Sequence, residues 1–211
     1  MKNNDPKLII VSAPSGCGKG TILAEVLENT GAFLSISCTT RGPRVGEENG
    51  VNYHFITQDE FDKMIDDNAF LEYARFVGKS YGTPAKPVDD AISQGRDAIL
   101  EIETKGAFQV KESRPESVSI FILPPSIKEL ERRLRKRATE TEEKILERVA
   151  QAAGEIEKSP RYDYVIMNDA LEDAIRDFEL VVSSVKANDN RADKFKAENM
   201  KETIEEVLKN A

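Results

Sequence analysis

Residues 8–27 read LIIVSAPSGCGKGTILAEVL, and the order of residue types in this stretch decides the fold. Leu8 to Val11 form an unbroken apolar run, the pattern of a short strand buried on both faces of a parallel sheet. Ala13 to Gly20 follow as APSGCGKG, with Thr21 next. Ile22, Leu23, Val26 and Leu27 then fall on one helical face, and Gly31 is placed to close that helix. Strand, glycine turn and helix together are the setting of a phosphate-binding loop. Gly16 and Gly18 let backbone N–H groups curl around a phosphate, the helix N-terminus adds its dipole, and Lys19 adds a point charge.

The full loop pattern is G-x-x-x-x-G-K-[ST]. This chain departs from it twice. Ala13 replaces the first glycine, and Gly20 stands where the magnesium-binding hydroxyl belongs, so Thr21 is the nearest hydroxyl to take that part. The candidate phosphate-binding residues are Ala13, Pro14, Ser15, Gly16, Cys17, Gly18, Lys19, Gly20 and Thr21. A glycine-rich turn before an ordinary helix is the bland alternative. Cys17 reads as a small loop residue rather than a nucleophile, because nothing near it in sequence would activate a thiol.

The chain has 211 residues, room for one α/β domain with insertions or one domain plus an appendage. A formal net charge of −8 argues against nucleic acid or a membrane surface as the main partner. Two cysteines, Cys17 and Cys38, make no disulfide framework, and a reduced cytoplasmic setting is the default. The opening MKNNDPK lacks an apolar targeting core, and no apolar run approaches membrane length.

Further along, Phe33 to Ser37 alternates like a second strand. Thr39 to Tyr53, TTRGPRVGEENGVNY, is too irregular for an element of its own. Thr57 and Glu60 suit a capping box opening a short helix with Phe61, Met64 and Ile65 inward. Ala69 to Phe76 reads as a strand and Gly78 to Thr83, GKSYGT, as a turn-rich piece. Residues 38–83 thus look like an insertion between core strands. The core resumes with a helix around Val88 to Gln94, a strand Ala98 to Ile102, a helix from Thr104 to Glu112, and a strand Val118 to Leu123. Ser126 with Glu129, and Thr139 with Glu142, suit helix starts; the second helix puts Ile145, Val149, Ala152 and Ile156 on one face. Tyr164 to Met167 is the last buried strand. Asn168 and Asp169 follow at its C-terminal end, where open parallel sheets bind ligands. Leu171 to Val185 closes the domain, and the charged tail carries only a hint of amphipathic helix at Ile204, Val207 and Leu208. Five strands separated by helices predict a parallel sheet.

Four stretches then converge on one family. APSGCGKGT, the run Ser37 to Glu47 (SCTTRGPRVGE), Asn52-Tyr53-His54-Phe55, and Arg137 to Glu143 (RATETEE) resemble guanylate kinase in order and spacing over residues 7–186. The resemblance implies a P-loop NTPase three-layer α/β fold. It would hold a core, a GMP-binding insertion at about 38–83, a helical lid at about 130–158, and a tail, 187–211, outside the domain and dispensable. It implies ATP-dependent phosphorylation of GMP with Mg²⁺, by a monomer or homodimer acting on small molecules. Carried over by position, Ser37, Arg41, Arg44, Glu47, Tyr53, Glu72, Tyr81, Thr83 and Glu101 would line the GMP site. Glu101 occupies a position often held by Asp, and Lys105 stands where the family often has Gln.

The residue types suit that chemistry. The acceptor is a phosphate oxygen, already anionic at neutral pH, so positioning and charge neutralisation suffice and the single histidine, His54, needs no catalytic part. Lys19 would hold the β- and γ-phosphates of ATP, with Asn168 on the same side. Thr21 with Glu101 or Glu103 would hold Mg²⁺ through water. Arg41 and Arg44 would grip the GMP phosphate as forked donors, and Arg137 and Arg148 would neutralise the transferring group. Read alone, the run from Arg132 to Arg137 is a solvated helix face; the resemblance lifts Arg137 out of it. Two rivals remain open: another P-loop nucleoside-monophosphate kinase, and a guanylate-kinase-like module that binds a phosphorylated peptide.

Overall fold

The expected strand–loop–helix unit is present. In the computed structural model of the protein, which describes residues 5–76, 78–136 and 141–209, β1 (Leu8–Ser12) is buried along its whole length and α1 (Lys19–Thr30) follows the loop. The chain continues through β2 (Phe33–Leu34), β3 (Cys38–Thr39), β4 (His54–Phe55), α2 (Gln58–Asp66), β5 (Phe70–Phe76) and β6 (Lys79–Pro84). After these come α3 (Ala85–Ser93), β7 (Ala98–Glu101), α4 (Thr104–Ser113), β8 (Val118–Leu123) and α5 (Ile127–Lys136). The last elements are α6 (Glu142–Ile156), β9 (Tyr164–Met167), α7 (Leu171–Ala187) and α8 (Lys201–Lys209). A five-stranded sheet has the order β2-β7-β1-β8-β9, with β2 parallel to β7 and β8 parallel to β9. A second sheet has the order β4-β3-β6-β5.

Residue contacts divide the chain into two units. The first gathers Val11–Gly31 with Val118–Ala211. Its core includes Ile22, Leu23, Val26, every residue of β8, and Phe178 and Val181 of α7. Ser119 and Asp163 fasten β8 to β9, since the Ser119 N–H and hydroxyl both donate to Asp163 Oδ2 at 2.8 Å. Ser126 caps α5, its hydroxyl accepting from Glu129 N at 3.0 Å. The start of α6 differs from expectation. Thr141 is its N-cap, so Glu142 is the first helical residue and cannot serve as the third-position partner of a capping box. Thr139, the other half of that box, lies outside the described residues.

The segment beyond α7 is also a correction. Asn188, at φ 50°, ends α7 in the left-handed conformation, and the Ser184 hydroxyl donates to Asp189 Oδ1 at 2.6 Å. Ala192, Phe195, Ala197, Ile204 and Val207 are then buried. The expectation of a dispensable charged tail gave overall charge more weight than the hint of an amphipathic helix at Ile204 and Val207, which α8 bears out.

The second unit gathers Pro6–Ile10 with Ala32–Ser117. The α2 capping box is complete: Glu60 N donates to Thr57 Oγ1 at 3.2 Å and Thr57 N to Glu60 Oε2 at 2.7 Å. Phe61 is fully buried, whereas Met64 and Ile65 are half-buried. β2 is shorter than expected, although Ser35 N still donates to Ile99 O at 2.9 Å. GKSYGT, expected to be turn-rich, is mostly strand β6, antiparallel to both β3 and β5. Gly82 in its middle reads as a turn residue but is there for packing, because a Cβ on it would meet the Phe70 ring at 2.9 Å. Only Gly78, at φ 70°, is a turn glycine here.

Candidate active site

The phosphate loop belongs to the first unit. Cys17 N donates to Pro14 O at 3.1 Å, turning the chain after β1. Gly16 and Gly18 have φ near +90°, where L side chains are strained. Space forbids side chains as well: a Cβ on Gly16 would lie 2.8 Å from Leu134 Cδ2, and one on Gly18 would lie 2.6 Å from Asn168 Nδ2. α1 begins at Lys19 with Gly18 as its N-cap, without a side-chain cap and without an acid in its first turn. Its leading N–H groups and positive dipole end therefore suit an anion. Lys19 is half-buried, and Ser15, Gly20 and Thr21 are exposed.

Two elements from later in the chain converge on this loop. Asn168, buried at the end of β9, donates from Nδ2 to Cys17 O at 2.6 Å, while its own N–H donates to Leu123 O at 2.8 Å. Arg148 of α6 donates from Nη1 to Ser15 Oγ at 3.2 Å. The Cys17 thiol is buried and donates weakly to Ile122 O at 3.5 Å. Burial pushes its pKa up to about 12, against the opposing charges of Arg133 and Lys19, which agrees with a packing residue and not a nucleophile. Arg133 is the residue the sequence reading missed. It donates to Glu129 at 2.9 Å and to Asn168 O at 3.2 Å, and its charge reaches Cys17. Its i, i+4 spacing from Glu129 is matched by that of Arg135 from Glu131, so no local signal sets it apart from its run.

In the second unit, β5 and β6 build a polar group on one sheet face. Glu72 pairs in register with Thr83, and Ala74 with Tyr81, so these four share a face. Thr83 Oγ1 donates to Glu72 Oε1 at 2.6 Å, and Ser37 Oγ lies 3.5 Å from Thr83 Oγ1. Glu72 is only 8% exposed, and burial raises its pKa above the usual carboxylate range, partly offset by the Thr83 bonds. Gly106 backs it, since a Cβ there would lie 2.5 Å from Glu72 Oε2.

A second cluster is built on Arg41. Its guanidinium forks onto Glu47 at 2.8 and 2.9 Å and donates to Gly42 O at 2.8 Å. It lies over the rings of Tyr53 and Phe55, at 5.4 and 5.8 Å to their centroids. Arg41 and the Arg44 N–H, 2.8 Å away, lower the Glu47 pKa to about 2. Tyr53 and Tyr81 meet edge-on at 6.1 Å. The turn that carries Arg41 is pinned to β6, with Thr39 Oγ1 donating to Ser80 O at 3.0 Å and accepting from Arg41 N at 3.2 Å.

Thus Ser37, Glu72 and Thr83 come together, as do Arg41, Glu47, Tyr53 and Tyr81. Arg44 is exposed and joins the second cluster through its backbone. Glu101, at the end of β7, and Glu103, the N-cap position of α4, are exposed; the first acts electrostatically on Tyr53 and the second on Glu72. Arg137 lies outside the described residues. Phe55, over which Arg41 sits, was not singled out from the sequence.

An uncapped helix behind a positive-φ glycine loop, entered from a buried strand of the five-stranded sheet, defines an α/β protein of the P-loop nucleotide-binding class. The family model described as Guanylate kinase matches residues 5–185. The chain belongs to the guanylate kinase family. It is 52% identical over 185 residues to the guanylate kinase of Carboxydothermus hydrogenoformans, covering 87% of this chain and 91% of that protein. It is 45% identical over 208 residues to the guanylate kinase of Clostridium perfringens strain SM101, covering 98% and 94%, an alignment that runs into the segment beyond α7. The crystal structure of guanylate kinase from Anaplasma phagocytophilum superposes with a TM-score of 0.70 at 32% identity, covering 87% of each chain.

Proposed function

We propose that this protein transfers the γ-phosphoryl group of ATP to GMP, giving ADP and GDP in purine nucleotide metabolism. The observation that carries the reading is Glu72, buried and hydrogen-bonded by Thr83 in the insertion that also holds Arg41. An ionised carboxylate only accepts, so it takes the N1–H and N2–H of guanine and meets a lone pair on adenine. The Ser37 hydroxyl supplies a donor for guanine O6, while the Thr83 hydroxyl, donating to Glu72 Oε1, orients the carboxylate. Arg41 and Arg44 bind the monophosphate, Glu47 holds Arg41, Tyr53 and Tyr81 flank it, and Glu101 adds a second carboxylate.

On the ATP side, the loop residues Ala13 to Thr21 wrap the phosphates and Lys19 neutralises the β- and γ-groups. Asn168 fixes the loop through the Cys17 carbonyl. Arg148 and Arg137 stabilise charge on the transferring group. The acceptor oxygen needs no base, which leaves positioning as the protein's main task. Bound Mg²⁺ supplies further neutralisation of phosphate charge. Thr21, with Glu101 or Glu103, would hold it through water. Nucleotide phosphates and water would complete its shell.

Buried free thiols at Cys17 and Cys38 support a reduced, cytoplasmic setting. Among the described residues no helix is long and apolar enough to cross a membrane. The accompanying reading is a monomer or homodimer that works on small molecules. A coupled assay ranking GMP, AMP, CMP and UMP tests the function, together with Lys19→Ala, which should cut kcat by roughly 10²-fold. Comparable kcat/KM for AMP and GMP would overturn it.

A further inference from the structure

The segment beyond α7 contributes no residue to the site described above, yet its course links two parts of the first unit. One end is tied to the sheet. β9 is the last strand of its sheet, and the segment covers it through an antiparallel bridge between Tyr164 and Lys196 and a bond from Ala197 N to Asp163 O at 3.1 Å. Asp163 is the same residue whose carboxylate fastens β9 to β8. Phe195 and Ala197 are buried here.

The other end reaches α6. α8 packs against that helix, and each buries apolar residues: Ile204 and Val207 on α8, and Ile145, Ala152 and Ile156 on α6. α6 carries Arg148, whose Nη1 donates to Ser15 Oγ of the phosphate loop at 3.2 Å. A hydrogen bond between side chains at the surface contributes little net stability, so it does not by itself hold a helix of 15 residues in place. Two packed helices do. One is α5, where Arg135 also pairs with Glu142 at the first residue of α6; the other is α8.

On the ATP-site reading above, we infer that α8 is a strap that presets α6, so that the free protein already holds Arg148 at the phosphate loop. Ile204 and Val207 are then positioning residues that act on nucleotide affinity through Arg148. A nucleotide that needs Arg148 binds without first ordering α6. Once bound, its own contacts hold the helix, so the strap governs affinity and leaves the turnover of the saturated enzyme alone. If loosening α8 cuts the competent population of α6 to about one fifth, Kd rises about fivefold. Linkage runs the other way as well: the nucleotide must favour the docked state of α8 by the same factor.

The test uses adenylyl imidodiphosphate with Mg²⁺ and the full-length protein, at a temperature where circular dichroism shows every variant folded. Calorimetry compares wild type, Val207→Ala, Arg148→Ala and the double variant. Val207→Ala should weaken binding about fivefold at unchanged kcat, and should add nothing in the Arg148→Ala background. Ile204→Val, which keeps an apolar side chain at the contact, should bind as wild type does. Hydrogen exchange needs no variant on α8: the nucleotide should slow amide exchange in Lys201–Lys209 in wild type and not in Arg148→Ala. An unchanged Kd in Val207→Ala, or the same loss with and without Arg148, would overturn the strap. So would α8 exchange that ignores the nucleotide in wild type, a result that no folding defect can produce. Wild type that fails to bind the nucleotide removes the ATP-site reading and the strap with it, whereas binding that Val207→Ala leaves intact removes the strap alone.

Discussion

The side-chain amide of Asn168 occupies the space that any side chain on Gly18 would need. Its Nδ2 donates to Cys17 O at 2.6 Å, and a Cβ on Gly18 would lie 2.6 Å from the same nitrogen. Gly18→Ala therefore meets two penalties: a left-handed backbone costing about 1–3 kcal/mol, and displacement of the amide that holds the loop. Both Gly18→Ala and Asn168→Ala should weaken ADP binding. Because Asn168→Ala removes the obstructing group, the double variant should lose less stability than the two singles added together, by about 0.5–1 kcal/mol. Chemical denaturation of the four proteins decides; strict additivity would mean that the two residues do not share this space.

Arg41 and Glu47 form a forked pair whose strength shows in the Glu47 pKa, lowered to about 2 from 4.5. A native pKa below the unfolded one gives stability that is present above about pH 4.5 and lost as pH falls toward 2. The two side chains are 15% and 18% exposed, and the main effect of the pair is positional. Glu47→Gln should raise KM for GMP about tenfold with little change in kcat, since Arg41 then lacks the fork that orients it. A loss in kcat alone would remove Arg41 from ground-state GMP binding.

The segment beyond α7 is a structural part of the first unit, which reverses what its charge suggests. Phe195, Ile204 and Val207 are 7%, 3% and 2% exposed. Each contributes about 1.5–3 kcal/mol through burial. Removing residues 188–211 should lower Tm by about 10 °C or more, at 2–4 °C per kcal/mol for a chain of this size. Activity should follow the folded fraction. A shortened protein with an unchanged Tm would return this segment to the status of a tail.

The parts legible in the sequence are those where local signals agree. At residues 8–31 an apolar run, a glycine turn and a 3.6-residue period point the same way, and the structure follows them to the closing Gly31, at φ 66°. The Thr57–Glu60 box is equally local. The misreadings involve contacts between distant residues. Gly82 looked like punctuation, but its reason is Phe70, 12 residues earlier on the neighbouring strand. Arg133 looked like one charge in a solvated run, because its acceptor, Asn168 O, lies 35 residues away in sequence. Gly106 against Glu72 leaves no local trace at all. The positions proposed for the GMP side came from resemblance, and the structure adds which of them touch one another.

Glu72 ties stability and specificity to pH in opposite directions. Burial raises its pKa above the ordinary 4.5, with Thr83 partly opposing. A carboxyl whose native pKa lies above its unfolded one binds more protons in the folded state through that interval. The apo protein therefore loses stability as pH rises from about 4.5 through the raised value, and none of that loss occurs below about pH 4.5. Guanine needs the ionised form, because a protonated carboxyl offers its own donor to N1–H. KM for GMP should accordingly increase as pH falls through the raised value. Glu72→Gln should flatten both profiles: its apo form gains on wild type as pH rises across that interval, while kcat/KM for GMP falls by roughly 10²-fold, since the amide accepts fewer bonds and brings its own donors. Thermal unfolding from pH 4 to 8 and GMP kinetics over the same range measure the two effects separately. A Gln variant that keeps the wild-type slope of KM against pH would assign the titration to another group and remove Glu72 from guanine recognition.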